Sequence, residues 1–498
     1  MAIRTIKIHP SIGIARIGNS ISEFFIGPEL PGDHAAPPGG YKDAQHRIKR
    51  QAARFRIFGY DENDRPVQEI TTADATVTWT VHLANTKAAG DLFHGVGTQS
   101  PGVRNVTVTG SDRKNLVIDP GPRSITGPNQ AEQFNSGRFM GVPVPLGEMR
   151  TDTEGRLVVL GGFGNSGSPI NAPLNQNLPF EFANHNGWYD DVSDGPVTAV
   201  VTLNGTRAAL EAVAAWVLCP PPKYAPAIED IITLYDVLYQ NAVEKGWITV
   251  PSSPSFNNDI FPILQRAINM KWLYGAAADA HSSLSAIISM LGNARARKGV
   301  VARHRDPSLP ADQPSPKTDM PRIWSDIFPK NGPINAALTK TQYNNMKKWA
   351  AGNFVNDWTG KPPEPAKSIT PEGVDRAALE NCVGAAFCPG IETSWKTRDQ
   401  YEFIEPFRLD WKKRQPGDLT QQMSLPWQTD FLDCSDGDVP LLWWPAHRPN
   451  QVWPEDGGPQ VDWDRIIALN PEDFLQNWPR MGFVISRGER YVETERQA

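Results

Sequence analysis

The sequence predicts an α+β fold, with a β-rich, sandwich-like N-terminal half and a mainly helical, loop-rich C-terminal half. In the N-terminal half, polar and apolar residues alternate with a period of two, as over 75–85 and 196–205. In the C-terminal half, apolar residues recur at i, i+3 and i+4, which is typical of amphipathic helices. We therefore expect a β-rich domain over residues 1–222 and a mainly helical domain over residues 223–498, which carries the functional site.

The alternation predicts strands in FRIFGYD (55–61), ATVTWTVHLAN (75–85) and PVTAVVTLNG (196–205), and turn signals such as GYDEND and SDGP separate them. The segment AALEAVAAWVL (208–218) fits either a strand or a short helix. The basic stretch HRIKRQAARFR (46–56) is interpreted as a solvated face or the edge of a strand.

A glycine-rich motif follows one of these strands. The segment GRLVVLGGFGNSGSP contains G-x-G-x-x-G at Gly162, Gly164 and Gly167. Such a motif binds a dinucleotide only when a helix follows and receives the pyrophosphate. The next residues, SPINAP, cannot open a helix, so we predict a loop without this function.

Helices are expected at several places in the C-terminal half. They are predicted over 228–246, 261–281, 339–354, 370–387 and 471–478. Threonine caps introduce the third of these, and a proline and a glutamate lie in the first turn of the fourth. The polar, proline-rich stretch 295–321 is predicted to be a loop.

Composition excludes several classes of function. The net charge of −6 and the absence of a basic stripe argue against nucleic acid as a partner. No apolar run approaches the ~18 residues that cross a bilayer, so no membrane association is expected. The N-terminus MAIRTIKIHP lacks the apolar core of a signal peptide, which favours a cytoplasmic location and leaves non-classical export open.

The cysteines do not form a disulfide scaffold or a zinc site. Cys219, Cys382, Cys388 and Cys434 are the only cysteines in 498 residues, and no pair has a common zinc spacing. We therefore expect no bound metal. Cys382 lies on a predicted helix and is interpreted as a small buried apolar residue.

The most unusual combination of residues is Asp430, Cys434, Trp443 and Trp444, in PWQTDFLDCSDGDVPLLWWPAHRPN (426–450). A sulfur, an indole and a base are what a chain needs to build a thioether-linked tryptophan quinone from itself. The alternative interpretation is an aromatic cluster packed beside a buried thiol. In that case, Asp430 would be a loop-capping residue.

Several ordered motifs resemble the LodA-like family of cysteine tryptophylquinone oxidases, which includes lysine ε-oxidases and glycine oxidases. The motifs are IHPSIGIARIGNS (8–20), ANHNGWYDDVSDGPV (183–197), LENCVGAAFCPGIE (379–392), PWQTDFLDC (426–434), LWWPAHRPN (442–450) and MGFVISRGERYVETER (481–496). The resemblance covers nearly the whole chain. It implies oxidation of a primary amine or amino acid by O2, giving an aldehyde or oxo-acid, ammonia and hydrogen peroxide.

The resemblance also implies roles for individual residues. Cys434 matches the crosslinking cysteine, and Asp430 matches the base that is needed for the modification and can abstract the α-proton of the substrate. The tryptophan of the cofactor, a cysteine tryptophylquinone, is Trp443 or Trp444, and the sequence does not separate the two. In this family a flavin-dependent monooxygenase performs the hydroxylation, so such a partner is expected.

Further residues are candidates for the substrate pocket. Cys388 in AFCPGIE matches a pocket position of the family, and Trp188 or Tyr189 in NGWYDD corresponds to a pocket aromatic residue. His447 in PAHRP is another candidate, with a local hydrogen bond or a surface position as the alternative. Glu392 and Trp395 lie just beyond the PGIE turn and are candidates to line the same cavity.

Two other functions compete with the oxidase hypothesis. The chain could be a family scaffold that is never modified and acts as a binding or structural protein. The number of tryptophans also suggests a carbohydrate-binding module or a hydrolase, for which paired carboxylates are expected. Asp433, Asp436 and Asp438 lie instead in a turn-like DCSDGD run. The substrate and the oligomeric state, with a homo-oligomer as one outcome, remain open.

Overall fold

The computed structural model describes residues 3–92, 102–174, 183–281, 284–310, 320–321, 336–384, 392–433, 446–465 and 470–497. The candidates Cys388, Cys434, Trp443 and Trp444 lie outside these described residues. Most strands precede residue 220 and the α-helices follow it, which confirms the predicted fold class. The predicted domain boundaries remain a prediction.

Two sheets dominate the N-terminal half. The strands are β1 (Thr5–His9), β2 (Ile12–Ile14), β3 (Phe24–Ile26), β4 (Arg50–Tyr60), β5 (Pro66–Ile70), β6 (Ala75–Val81), β7 (Arg123–Thr126), β8 (Ala131–Gln133), β9 (Arg138–Phe139), β10 (Val142–Pro143), β11 (Glu148–Thr151), β12 (Leu157–Leu160), β13 (Ser166–Gly167), β14 (Tyr189–Asp190), β15 (Ser193–Leu203), β16 (Ala209–Glu211) and β17 (Ala215–Cys219). One sheet has the order β1-β4-β12-β11-β8, and β3 and β5 also pair with β4. The other has the order β2-β17-β15-β6-β7, and β16 also pairs with β15.

The two sheets pack face to face around one apolar core. Phe55 and Leu157 come from the first sheet, and Trp79 and Val217 come from the second, and all four are buried in the same cluster. Side chains from the inner faces of two sheets interdigitate in this way in β-sandwiches. The sandwich-like prediction is therefore confirmed, and the segment 208–218 forms strands rather than a helix.

One interpretation of the N-terminal half was wrong. The basic stretch 46–56 does not form a solvated face or a strand edge, because it leads into β4, which pairs with β1 on one side and β12 on the other. Arg50 is buried there and pairs with Glu148 at 2.6 Å. Internal carboxylates neutralise these arginines, so a basic run can occupy a central strand.

The C-terminal half contains the helices α1 (Leu234–Glu244), α2 (Phe261–Asn269), α3 (Gly275–Ala280), α4 (Leu284–Met290), α5 (Ala294–Val301), α6 (Lys340–Ala351), α7 (Pro371–Glu380), α8 (Trp427–Asp433) and α9 (Pro471–Asn477). Thr339 caps α6 as predicted, since its side chain accepts a hydrogen bond from the Gln342 amide. The loop predicted over 295–321 was wrong at its start. There, Asn293 caps α5 by accepting from the Ala296 amide at 3.1 Å.

Short strands complete this half: β18 (Phe403–Glu405), β19 (Arg408–Leu409), β20 (Gln451–Val452), β21 (Val461–Asp462), β22 (Phe483–Arg487) and β23 (Arg490–Thr494). A second apolar core joins Trp427, Trp463 and Phe474 to Ile17 and Tyr41 of the N-terminal half, so the two halves pack directly together. Within the described ranges, no helix has both the length and the apolar character needed to cross a membrane.

Candidate active site

Asp430 lies on α8, a helix of seven residues that is packed in aromatic rings. Trp427 and Phe431 share a face of the helix, because positions i and i+4 are about one turn apart. Both are fully buried. Phe431 stacks on Phe474 of α9 with ring centroids 5.5 Å apart, and Trp427 meets Trp478 edge-on at 5.4 Å. Asp430 is 0% exposed, so the helix places a carboxylate in a site from which bulk water is excluded.

A buried ion pair holds the N-terminal end of α8. The Asp190 carboxylate accepts a hydrogen bond from the Trp427 amide at 3.0 Å and from the Lys87 ammonium at 2.5 Å. Asn85 donates to the other carboxylate oxygen at 2.9 Å. A carboxylate is favourable at a helix N-terminus because the first amides of the helix have no partners within the helix.

The glycine-rich loop binds an internal carboxylate. Asp191 accepts hydrogen bonds from the amides of Phe163 at 2.7 Å, Gly164 at 3.2 Å and Asn165 at 2.9 Å. A Cβ atom on Gly162 would lie 2.6 Å from an oxygen of Asp191, so only glycine fits there. These amides therefore already have a hydrogen-bond partner in a carboxyl group of the chain itself. The absence of dinucleotide binding remains a prediction.

Arg448 connects the chain on the two sides of residues 434–445. Its Nε donates a hydrogen bond to the main-chain carbonyl of Phe431 on α8. Its Nη2 donates to Asp464 at 2.7 Å, and its guanidinium lies 5.5 Å from the centre of the Trp463 ring. The arginine is buried, so it fixes where the chain leaves α8 relative to where it returns after residue 445.

Backbone pairing places the residues that follow the WWP motif. The amide of Tyr224 donates to the carbonyl of His447 at 3.1 Å, and the amide of Ala225 donates to the carbonyl of Ala446 at 2.9 Å. Tyr224 is itself buried and donates its hydroxyl to the carbonyl of Trp478 at 2.8 Å. The stretch 446–448 is therefore a fixed part of the core.

The imidazole of His447 lies between two carboxylates. Its Nε2 pairs with Glu392, and its Nδ1 lies 3.5 Å from Asp230. Arg16 also pairs with Glu392, and Lys223 lies 3.6 Å from Asp230. All five side chains are buried. An imidazole in this position has a fixed orientation, because each ring nitrogen faces a carboxylate.

Glu392 is ionised in this cluster. Burial by itself raises the pKa of Glu392, but the positive charge of Arg16 and the contact with His447 outweigh it, so the pKa lies well below its usual range. The Val383 amide also donates to the carboxylate at 2.6 Å. Glu392 therefore contacts one of the other pocket candidates, His447. Its place in the wall of the substrate cavity remains a prediction.

Comparison with known sequences gives the family. A family model described as "L-Lysine epsilon oxidase N-terminal" matches residues 9–219, and one described as "L-lysine epsilon oxidase C-terminal domain" matches residues 318–454. Together the two matches span more than half of the chain. The chain belongs to the LodA-like family. Its relative L-lysine 6-oxidase of Marinomonas mediterranea is 28% identical, over 93% of this chain and 76% of the relative.

Solved structures share the fold of this LodA-like chain. The crystal structure of the L-Lys epsilon-oxidase from Marinomonas mediterranea matches with a TM-score of 0.77 at 23% identity, over 99% of this chain and 95% of that chain. A second structure of the epsilon-lysine oxidase of this organism has a TM-score of 0.79 at 24% identity, with the same coverage of both chains. A third, described as the Schiff base intermediate with L-Lys, has a TM-score of 0.76 at 24% identity, again over 99% of this chain and 95% of that chain.

The two aromatic pocket candidates of the LodA-like chain pack against the N-terminal core. Trp188 donates its indole N–H to the carbonyl of Ala172 at 2.9 Å. Tyr189 is on β14, and its ring centre lies 5.4 Å from that of Phe139. Tyr189 immediately precedes Asp190, so the segment that carries both aromatic residues is connected to α8 through that carboxylate. The side chain of Trp395 is outside the described part of the structure.

Sequence reasoning missed Lys87, Asp190 and Asp191, which support α8 and the glycine loop. The available signal was the run of acids in YDDVSD, at the beginning of a predicted strand. Carboxylates that a fold buries must be paired or hydrogen-bonded, because an unpaired buried charge is very costly. Their partners, however, are distant in sequence, and a single sequence does not identify them.

Proposed function

We propose that this LodA-like protein is an oxidase that deaminates a primary amine or an amino acid. The substrate, O2 and water react to give an aldehyde or oxo-acid, ammonia and hydrogen peroxide. The carbon that bears nitrogen loses two electrons and its bond to nitrogen, and O2 accepts the two electrons. The named relative, L-lysine 6-oxidase, supports an amino acid as the substrate class.

The cofactor in this proposal is a cysteine tryptophylquinone made from Cys434 and either Trp443 or Trp444. The observation that carries the proposal is the fully buried Asp430 on α8, four residues before Cys434. The described surroundings fit such a group, because aromatic rings around Asp430 exclude water and Arg448 binds the carbonyl of Phe431. When formed, the quinone supplies an electrophilic carbonyl and takes up an electron pair.

The described side chains have separate roles in this mechanism. Asp430 is the base, first for the modification of the indole and then for the α-proton of the substrate. A site from which bulk water is excluded suits this task, because solvent does not compete with the substrate for the carboxylate. His447, through its contacts with Glu392 and Asp230, orients the chain that follows the WWP motif.

We assign the substrate pocket to Cys388, Trp188, Tyr189 and His447. Cys388 is proposed as a wall of the pocket, where its size and polarity affect substrate binding more than cofactor assembly. Trp188 and Tyr189 are proposed as the aromatic side of the pocket. Each side chain combines an aromatic ring with a polar group, the indole N–H of Trp188 or the phenol of Tyr189. The ring can pack against the apolar part of an amino acid.

Maturation is proposed to require a separate flavin-dependent monooxygenase. Hydroxylation of an indole needs activated oxygen, and the glycine-rich loop, the one nucleotide-like motif noted in the sequence, binds Asp191 instead. We propose that modification takes place in the cytoplasm, where such a flavoprotein is made. Export after maturation and assembly into a homo-oligomer are compatible with this proposal.

Mass spectrometry of protein from its native host tests the proposal. The peptide containing Cys434 should be joined to the peptide containing Trp443 and Trp444, with a gain of two oxygen atoms and a loss of four hydrogen atoms. Fragment ions will show which tryptophan is modified. A Cys434→Ala variant is the matched control and should lack the crosslink. An unmodified mass with Cys434 open to alkylation would contradict the oxidase and favour an unmodified scaffold.

A further inference from the structure

Lys87 is a fully buried lysine in a short 3-10 turn of the N-terminal half. Its ammonium donates one hydrogen bond to Asp190 at 2.5 Å. Lysine is rarely buried without a counter-charge, because removing an ammonium group from water is energetically unfavourable. A buried lysine therefore needs a specific electrostatic reason, and here that reason involves α8.

Asp190 connects the lysine to the helix. The same oxygen of Asp190 that accepts from Lys87 also accepts from the Trp427 amide in the first turn of α8, at 3.0 Å. Asp430 follows Trp427 by three residues, so it lies one helical turn further along α8. The ammonium of Lys87 is close enough to interact electrostatically with Asp430 as well as with Asp190.

We propose that Lys87, acting with Asp190, is a positioning residue that keeps Asp430 ionised and fixes the helix that carries it. This inference rests on the proposed function, in which Asp430 is the base. Lys87 supplies the positive charge that makes two buried carboxylates tolerable in one dry site. Asp190 orients both the ammonium and the N-terminal end of α8.

Other charged groups near Lys87 affect the pKa of its ammonium group. Burial lowers the pKa of the Lys87 ammonium, and the carboxylates of Asp190 and Asp430 oppose this, whereas the nearby Arg104 reinforces it. Asp191 adds a further carboxylate beside Asp190. On the other side, Arg448 contacts the carbonyl of Phe431, the residue that follows Asp430. Lys87 thus pairs directly with Asp190, the carboxylate that accepts from the first turn of α8.

The test measures the protonation of Asp430 in the unmodified chain, so it does not depend on cofactor formation. Infrared spectra are recorded over a pH series, and the carboxyl band of Asp430 is assigned by its loss in Asp430→Asn. In Lys87→Met, we expect this band to appear at a pH at least one unit higher than in the wild-type protein, because the stabilising cation is gone. Lys7→Met removes another buried lysine, one paired with Glu405, and should leave the band unchanged.

A second variant distinguishes the effect of losing the charge from the effect of disturbing the fold. Lys87→Gln keeps a donor for Asp190 but has no charge, and it should show the same shift as Lys87→Met. During maturation with the flavoprotein, both variants should also need a higher pH for half-maximal quinone formation, as measured by peptide mass. An Asp430 band that titrates at the wild-type pH in a folded Lys87 variant would overturn the inference. A shifted band in a protein that never forms the quinone would overturn only the proposed function.

Discussion

Arg448 donates a hydrogen bond from its Nε to the main-chain carbonyl of Phe431, across 17 residues of sequence. This bond connects the end of the helix that carries Asp430 to the stretch that follows Trp444. The guanidinium is buried and also pairs with Asp464, so contacts with both Phe431 and Asp464 fix its position. Phe431 and Arg448, the described residues that flank the proposed cofactor segment, are therefore held together before any crosslink forms.

Replacing Arg448 should impair cofactor formation. We expect Arg448→Met to fold but to give several-fold less crosslinked protein, because sulfur and indole must be held together for the bond to form. The measurement is the crosslinked fraction in peptide mass spectra after co-expression with the flavoprotein. Arg487→Met removes an exposed arginine that pairs with Glu455 and should give the wild-type fraction. Equal fractions in both variants would show that Arg448 has no such role.

Replacing Asp430 should abolish the cofactor without unfolding the protein. Asp430→Asn keeps the shape of the side chain but removes the base, so we expect folded protein with little or no quinone absorbance. The measurements are the visible spectrum and the peptide mass. Asp462→Asn changes an exposed aspartate on β21 and is the matched control. A coloured, fully active Asp430→Ala protein would remove the assignment of the base.

Replacing Cys388 should change substrate binding and leave cofactor formation intact. Because Cys388 is proposed as a pocket wall, Cys388→Ala should form the normal crosslink and show a KM changed by several-fold, with a smaller change in kcat. Steady-state kinetics with a panel of amino acids provides the measurement. If neither KM nor kcat changes for any oxidised substrate, Cys388 is a packing residue of its loop.

Breaking the buried cluster at Glu392 should destabilise the fold. Glu392→Gln leaves Arg16 without its counter-charge in the interior, which typically costs about 3–5 kcal/mol. Urea unfolding of the unmodified protein measures this cost. Glu455→Gln breaks an exposed pair with Arg487 and should cost less than about 1 kcal/mol. Similar costs for the two variants would mean that the Glu392 cluster contributes no more than a surface pair.

Asp191 should make stability fall as the pH rises. Burial raises the pKa of Asp191 to about 7, and the loop amides that donate to it only partly oppose this. The folded state therefore holds a proton that the unfolded state has lost above its ordinary pKa near 3.8. Stability from this group is fully present below that value and is lost as the pH rises to about 7.

Thermal unfolding of unmodified protein between pH 4 and pH 7 measures this dependence. Each pKa unit corresponds to about 1.4 kcal/mol, so the loss should be on the order of a few kcal/mol. Asp191→Asn has no titrating group at this position and should show a shallower pH dependence, whatever its absolute stability. An identical slope in the variant would contradict the raised pKa.

Local patterns in the sequence predicted the elements whose causes are local. Thr339 caps α6, and Pro371 and Glu372 lie in the first turn of α7, both as expected, because these signals act within one turn. The period-two alternation predicted β6 and β15, whose faces alternate in burial. The same rules were wrong for the basic stretch 46–56, because its arginines meet carboxylates such as Glu29 and Glu148, which are distant in sequence.

By itself, the sequence determined the fold class, the family resemblance and the set of residue types that can build a quinone, since each depends on order and spacing along the chain. Only the tertiary structure decided that Asp430 is fully buried, that Asp190 joins Lys87 to its helix, and that His447 lies against Glu392. The ion pairs Lys87–Asp190 and His447–Glu392 join residues more than 50 apart in sequence. Their free energy depends on a dry interior that exists only once both halves have packed together.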